Sequence, residues 1–133
     1  MEDEAFTDIT GKPISLDCQS HSSLCREFTV SVPKVSIDHE SLIVIRSLGI
    51  QLSSSYASGR ETTTFIEMSK IKDIVINEAI YMQQIIYHLC VLLKDPSDPD
   101  AVSSVVPLFQ SSKPRLNCLV KVYKSCQEIL SKC

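Results

Sequence analysis

The sequence predicts an α+β domain in which a run of antiparallel strands is followed by one amphipathic helix. Two observations lead to this class. Between residues 37 and 110, short apolar runs with a two-residue alternation are separated by turn residues, which is typical of strands. After residue 111 the apolar residues recur every three or four positions, which indicates a helix. A length of 133 residues fits one domain with its own core.

The first part of the chain differs in composition from the rest. Residues 1–36 are rich in Ser, Thr and Asp and contain the breakers Gly11, Pro13 and Pro33. Within them, residues 27–32 (EFTVSV) show the alternation of a strand. We therefore expect a flexible leader over 1–36, followed by the folded domain at 37–133.

Strand patterns follow one another closely after the leader. Residues 41–47 form a β-branched run that ends at the turn residue Gly49, and residues 50–56 alternate apolar and polar side chains. Gly59 suits a hairpin turn because it accepts positive φ. The Thr-rich run at 62–68 is then predicted to return as the next strand.

Residues 71–94 (IKDIVINEAIYMQQIIYHLCVLLK) are almost half Ile, Val and Leu. Polar residues interrupt them, so they fall short of the roughly 20 consecutive apolar residues that a membrane span requires. We predict a strand at 71–76, a bend at 77–79 and a strand buried on both faces at 80–93. A helix over 80–93 is the alternative, since short apolar runs fit either structure.

The last part of the chain reads as turn, strand and helix. Residues 95–100 (DPSDPD) are turn material, and Ser111 or Ser112 is a candidate N-cap with Pro114 in the first turn. A curved, partly open barrel closed by this helix corresponds to a pleckstrin-homology-like domain. The predicted apolar stripe of the helix consists of Leu116, Leu119, Val120, Tyr123, Cys126, Ile129 and Leu130.

The six cysteines are predicted to be free thiols in a reducing environment. Cys90 and Cys118 lie inside apolar patterns and are expected in the core. Cys18, His21 and Cys25 have ligand-like spacing, but a structural zinc site uses four ligands. No metal is predicted.

No constellation for catalysis emerges from the sequence. Three glycines do not make a phosphate loop or a dinucleotide motif, and no serine stands in a nucleophile-elbow context. His88, Glu67, Asp73 and Glu78 are explained as core or strand-edge residues. We predict no catalysis by this chain alone and no cofactor. The net charge of −3 gives no basic field for nucleic acid.

Basic residues offer two candidate contact surfaces. Lys121 and Lys124 share one face of the predicted helix and are candidates for meeting an acidic partner or an anionic membrane. Arg60, Lys70 and Lys72 are candidates for phosphoinositide head groups, if the domain is a lipid-binding module of pleckstrin-homology type.

Several longer motifs carry a family resemblance. They are SLGIQ at 47–51, SYASG at 55–59, TTFIEM at 63–68, KDIVINEAIYMQ at 72–83, and KPRL followed by YKSCQEIL at 123–130. With CREF at 25–28, this sequence resembles the phosphatidylinositol glycan class H (PIG-H) family over about 37–130.

The resemblance implies a function that composition does not show. It implies a non-catalytic subunit of the complex that transfers N-acetylglucosamine from UDP-N-acetylglucosamine to phosphatidylinositol, the first step of glycosylphosphatidylinositol (GPI) anchor synthesis. The implied partners are the PIG-A catalytic subunit and other subunits of that complex, on the cytoplasmic side of the endoplasmic reticulum membrane.

One departure from the family pattern stands out. PIG-H relatives carry a hydrophobic hairpin of two membrane segments between the CREF region and the domain. Here residues 32–37 (VPKVSI) join the two parts directly. We therefore expect a shortened form, peripheral to the membrane or cytosolic.

Overall fold

The computed structural model describes residues 2–31, 39–56 and 58–130. Within these ranges the chain forms nine strands, one short 3₁₀ helix and one α-helix. The elements are β1 (Glu2–Thr7), β2 (Pro13–Ser22), β3 (Cys25–Ser31), β4 (His39–Ile45), β5 (Gly49–Ser55), β6 (Glu61–Glu67), the 3₁₀ helix (Met68–Lys70), β7 (Ile71–Tyr81), β8 (Gln84–Asp95), β9 (Asp98–Leu108) and α1 (Leu116–Leu130).

The strands form two antiparallel sheets in which each strand pairs with the next one along the chain. β1 to β6 make a six-stranded sheet in sequence order, and β7 to β9 make a three-stranded sheet. The predicted class, antiparallel sheet with a C-terminal helix, is confirmed, although the sheets do not close into a barrel. The likeness to a pleckstrin-homology domain stays a prediction.

Strand alternation directs one face of the large sheet into the core. Phe28 of β3 lies opposite Leu42 of β4, and Val44 of β4 lies opposite Ile50 of β5. All four side chains are fully buried, whereas the intervening Thr29 is half-buried on the other face. Successive side chains of a strand point to opposite faces, so this register buries one apolar set and exposes the polar one.

Helix α1 supplies the cover for this core. Its apolar stripe packs against β7 and β8 and joins the same buried cluster as the large sheet. Full burial of one such side chain contributes about 1.5–3 kcal/mol. The buried residues of the helix are Cys118, Leu119, Val122, Cys126 and Ile129.

Polar contacts fix the orientation of the helix on the sheets. The Gln127 side-chain amide donates to the Ile74 carbonyl oxygen of β7 at 2.9 Å and to Asp73 Oδ1 at 3.0 Å. On the other side, Arg26 of β3 pairs with Glu128 and donates to Ser125 Oγ. The helix is therefore tied to both sheets.

A buried carboxylate holds the loop that leads into the helix. Glu40 of β4 accepts hydrogen bonds from the backbone N–H groups of Ser111 and Ser112, at 3.3 and 2.9 Å, and from the Ser112 hydroxyl at 2.6 Å. Phe109 and Lys113 at the two ends of this loop both have positive φ. Non-glycine residues rarely adopt that conformation, so outside contacts must hold the loop in place.

The expected flexible leader is wrong for the described part of residues 1–36. Residues 2–31 form β1, β2 and β3, which extend the large sheet. Ile14 and Leu16 point into the core, whereas the alternating Ser15 and Asp17 point to the other face and made the segment look polar. The predicted strand at 27–32 is confirmed through Ser31. The expected domain boundary at 36–37 lies outside the described residues.

The predicted bend at 77–79 is also wrong. β7 continues through these residues to Tyr81, because Asn77, Glu78 and Ala79 pair with β8. The reversal occurs instead at Met82 and Gln83, which both have positive φ, as a two-residue hairpin turn requires. The strand predicted within 80–93 is confirmed from residue 84 onward, and the helical alternative is wrong.

The C-terminal helix is confirmed, but its start and its stripe differ in detail. Ser112 donates to Glu40 and does not cap α1, which begins two residues after Pro114. Leu116 is exposed, whereas Cys118 and Val122 lie in the buried stripe. Cys90 and Cys118 are buried, as predicted.

Gly49, the first residue of β5, offers a test of the hairpin between β4 and β5. Its φ is +152°, and an added Cβ would lie 2.1 Å from the Ile66 carbonyl oxygen. We expect Gly49→Ala to lower the free energy of unfolding by roughly 1–3 kcal/mol. Denaturant unfolding followed by circular dichroism measures this change. Gly59→Ala is the control, because Gly59 also has positive φ but has nothing within 4 Å. Equal losses for both variants would contradict the steric argument.

The Glu40 contacts predict a second stability change. Glu40→Ala removes the acceptor of two backbone N–H groups, one of which belongs to a buried residue. We expect a loss of about 1–3 kcal/mol in unfolding free energy. Ser112→Ala removes only the hydroxyl bond and should cost less. The prediction fails if Ser112→Ala costs as much as Glu40→Ala.

The buried thiols predict an order of chemical reactivity. Burial raises the pKa of Cys118 and of Cys126 to about 12, so both stay protonated at pH 8. We expect iodoacetamide at pH 8 to leave both unmodified in the folded chain and to modify them after denaturation. Peptide mass spectrometry, with the half-buried Cys25 as internal reference, reports the order. Labelling of Cys126 as fast as Cys25 would contradict the packing of α1.

Candidate interaction surfaces

The structure separates the three bases proposed for a lipid head group. Arg60 lies in the turn between β5 and β6, with its guanidinium 5.5 Å from the Tyr56 ring centroid. Lys70 ends the 3₁₀ helix and Lys72 lies at the start of β7. The whole of β6 lies between Arg60 and Lys70, a distance of roughly 20 Å at the rise of a strand. The three bases are therefore not gathered in one place.

The two helix lysines occupy the outer side of α1. Lys124 is exposed, and Lys121 is half-buried. Neither belongs to the buried stripe, and residues three apart share one side of a helix. Their contact with a partner or a membrane stays a prediction.

The titratable residues singled out in the sequence take part in hydrogen bonds, strand pairing or ion contacts. Asp73 accepts hydrogen bonds from Gln127 and from the Ile74 N–H. His88 is half-buried in β8, opposite Asn77. His21 contacts Glu27 at 2.9 Å. Among the described residues, no three His, Cys, Asp or Glu side chains are grouped as a metal site.

Strand β6 forms one edge of the large sheet. It pairs with β5 alone, and of its seven residues Ile66 is buried while the others are exposed. Phe65 presents a large aromatic ring that is 49% exposed. We call residues 61–67 the β6 edge. The Thr-rich pattern predicted a strand here, but it carries no signal of which strand lies at the edge.

A polar groove adjoins the β6 edge. It has a volume of about 270 Å³ and lies between the inner face of β4 to β6 and the end of β9. Hydroxyl groups line much of it, and Tyr56 Oη lies 3.5 Å from Ser111 Oγ across its rim. An extended segment with hydrogen-bonding groups suits such a surface. The hydroxyl-bearing lining residues include Ser54, Tyr56, Thr62, Thr64 and Ser111.

A second open surface is apolar. Ile80, Met82 and Ile85, at the turn between β7 and β8, are 82%, 78% and 64% exposed. The expectation that 80–93 is buried on both faces is therefore wrong for residues 80–85, which are all exposed. We call residues 80–85 the hairpin tip. An apolar run across a two-residue turn is the sequence signal for it.

Basic groups lie beside the hairpin tip. Lys113 Nζ is 5.8 Å from the centroid of the Tyr81 ring. Arg115 donates from Nε to the Asp8 carbonyl oxygen at 2.9 Å and from Nη2 to the Ile9 carbonyl oxygen. Both belong to the loop that Glu40 holds.

Comparisons with known proteins agree on one family. The family model described as "GPI-GlcNAc transferase complex, PIG-H component" matches residues 41–110. The phosphatidylinositol N-acetylglucosaminyltransferase H subunit of Homo sapiens is 47% identical over 179 positions, covering 98% of this chain and 95% of the relative. The Bos taurus protein of the same name is 45% identical over the same shares. The gpi15 subunit of Schizosaccharomyces pombe is 32% identical over 66% of this chain and 52% of the relative. No solved structure matches the chain.

The alignments also show an internal difference. They extend over 179 positions, whereas this chain has 133 residues, so the mammalian relatives contain residues that it lacks within the aligned region. In the part of the chain that is described, no helix has the length and apolar content of a membrane span. The motifs, the family model and the full-length relatives together show that this chain belongs to the PIG-H family.

Proposed function

We propose that this chain is a non-catalytic subunit of the complex that transfers N-acetylglucosamine from UDP-N-acetylglucosamine to phosphatidylinositol, the first step of GPI-anchor synthesis. The similarity to the human PIG-H relative, over 98% of this chain and 95% of that protein, carries the proposal. We further propose that its partner is the PIG-A catalytic subunit, on the cytoplasmic side of the endoplasmic reticulum membrane.

The β6 edge is the docking surface that we propose for the catalytic subunit. An unpaired edge strand presents a row of N–H and C=O groups to which an extended segment of a partner can add. Phe65 gives this edge an exposed aromatic side chain of the kind enriched in the core of interfaces. The adjoining groove, with its hydroxyl groups, receives the side chains of such a segment.

The other described strand edges each have a feature that hinders or restricts the addition of a strand. Gln127 donates to the Ile74 carbonyl oxygen and so occupies an acceptor on the outer edge of β7. β9 contains Pro99 and Pro107, which lack the N–H donor that strand addition uses. β1 is joined at its end to the loop before α1 through the bridge between Asp8 and Pro114.

A phosphoinositide-binding module that uses Arg60, Lys70 and Lys72 has less support. A head group of ordinary size cannot reach bases that the length of β6 separates. We therefore place partner docking first and leave these three residues as candidates for single contacts.

The docking proposal predicts an outcome in cells that lack their own PIG-H protein. We expect the tagged chain to co-precipitate PIG-A. Phe65→Ala should reduce the co-precipitated amount by about tenfold or more, because it removes the aromatic side chain that the partner would bury. Surface staining of GPI-anchored proteins reports whether the complex is active.

Val102→Ala is the matched control, since Val102 is 41% exposed and lies in β9 of the small sheet. Co-precipitation without restored staining would support docking. It would also mean that the residues this chain lacks are needed for the complex to be active. No co-precipitation of the wild-type chain would contradict the subunit role. Equal loss for both variants would contradict docking at the β6 edge.

A further inference from the structure

We propose that the hairpin tip is a membrane-contact site, which inserts its apolar side chains into the surface of an anionic phospholipid bilayer. Lys113 and Arg115 face the lipid head groups in this arrangement. The site acts without any protein partner, so it goes beyond the subunit role proposed above.

The shape of the tip favours a lipid surface. Ile80 pairs with Ile85 and Tyr81 pairs with Gln84, so a two-residue turn closes the hairpin and the apolar side chains project from its narrow end. A fluid bilayer surface accepts such a projection without a preformed cavity, whereas a protein partner needs a matching one. Exposed apolar groups of this size on one turn are unusual for a surface that contacts only water.

Tyr81 fits the boundary between apolar tip and water. Its ring is 43% exposed and carries a hydroxyl group at one end. Tyrosine is enriched at membrane–water interfaces because one end is apolar and the other is polar. The position of Lys113 Nζ, 5.8 Å from this ring, places a positive charge at the level where head groups lie.

Arg115 and Lys113 together form a positive collar beside the hairpin tip. The two hydrogen bonds of Arg115 to backbone carbonyl oxygens, at 2.9 and 3.5 Å, fix the guanidinium beside a shallow cavity of about 300 Å³. Ile85 and Leu116 line the same cavity, and Leu116 is exposed. The collar thus combines fixed positive charge with additional apolar surface, as expected for attachment to anionic lipids.

Two acidic groups nearby, Asp8 and Glu78, offset part of this charge. The Asp8 carboxylate accepts hydrogen bonds from Thr10 and from the Lys12 N–H within its own turn. Glu78 shares the strand face of Ile80 but lies two residues further from the turn, or about 7 Å. Lys12 adds a third exposed cation at this end of the domain.

The test is sedimentation of the full purified chain with vesicles. We expect binding to phosphatidylcholine vesicles that contain about 30% phosphatidylserine, weak binding to phosphatidylcholine alone, and equal binding when phosphatidylinositol replaces phosphatidylserine at the same charge. The double variant Ile80→Ser with Met82→Ser should lower the partition coefficient by about tenfold or more. Lys113→Gln should lower it by about fivefold.

Matched controls exist for both kinds of change. Leu48→Ser alters an exposed apolar residue in the turn between β4 and β5 of the large sheet, and Lys94→Gln alters an exposed lysine at the far end of β8. Both should bind like the wild-type chain. Thermal unfolding confirms that all variants are folded.

Two results would overturn the inference. One is a wild-type chain that does not bind anionic vesicles, and the other is a tip variant that binds as well as Leu48→Ser. In the second case, loss of PIG-A co-precipitation in the same tip variant would make the tip a protein contact. If docking at the β6 edge is wrong, vesicle binding is unaffected, so each proposal can fail without the other.

Discussion

Two separate sheets share one helix as their cover, and the fold depends on this arrangement. The buried stripe of α1 completes a core to which the six-stranded and the three-stranded sheet both contribute. Without the helix, apolar side chains of β7 and β8 such as Ile74 and Leu89 would face water. Glu40 of the large sheet then fixes the loop that delivers the chain to this helix. Arg26 and Gln127 hold the helix on opposite sides, so the sheets keep a fixed relation.

The local sequence pattern predicted most strands and the helix, because the order of apolar and polar residues reflects which side chains of each element are buried. It failed for β1 and β2, since in β2 the polar Ser15 and Asp17 alternate with the inward Ile14 and Leu16 and hide the strand pattern. It also treated Ile80 and Ile85 as core, because hydrophobicity alone does not show where the covering helix ends. The edge position of Phe65 depends on which strands pair, which is a property of the whole fold. Contact surfaces were therefore less predictable than the elements that carry them.

The two proposed contact surfaces are built from different parts of the fold. The β6 edge offers backbone groups on the side of the large sheet, whereas the hairpin tip offers apolar side chains at the end of the small sheet. A strand added to β6 and a bilayer against the tip use no residue in common. Occupation of one surface therefore does not exclude occupation of the other. Such independence suits this chain, because the names of its relatives include a lipid, phosphatidylinositol.

The pairing of β3 with β4 bears on how splicing or gene rearrangement can alter this family. Ser31 lies directly opposite His39, so the residues on either side of the connection are held as neighbours. The entropy lost on closing a loop grows by only about 0.6 kcal/mol for each doubling of its length. A long insertion at that connection, where the family resemblance places it, would thus leave the strand pairing intact. His39 adjoins Glu40, which holds the loop carrying Lys113, and Lys113 contacts Tyr81 of the hairpin tip. We expect forms with and without that segment to share one folded body and to differ in how firmly it is attached to the membrane.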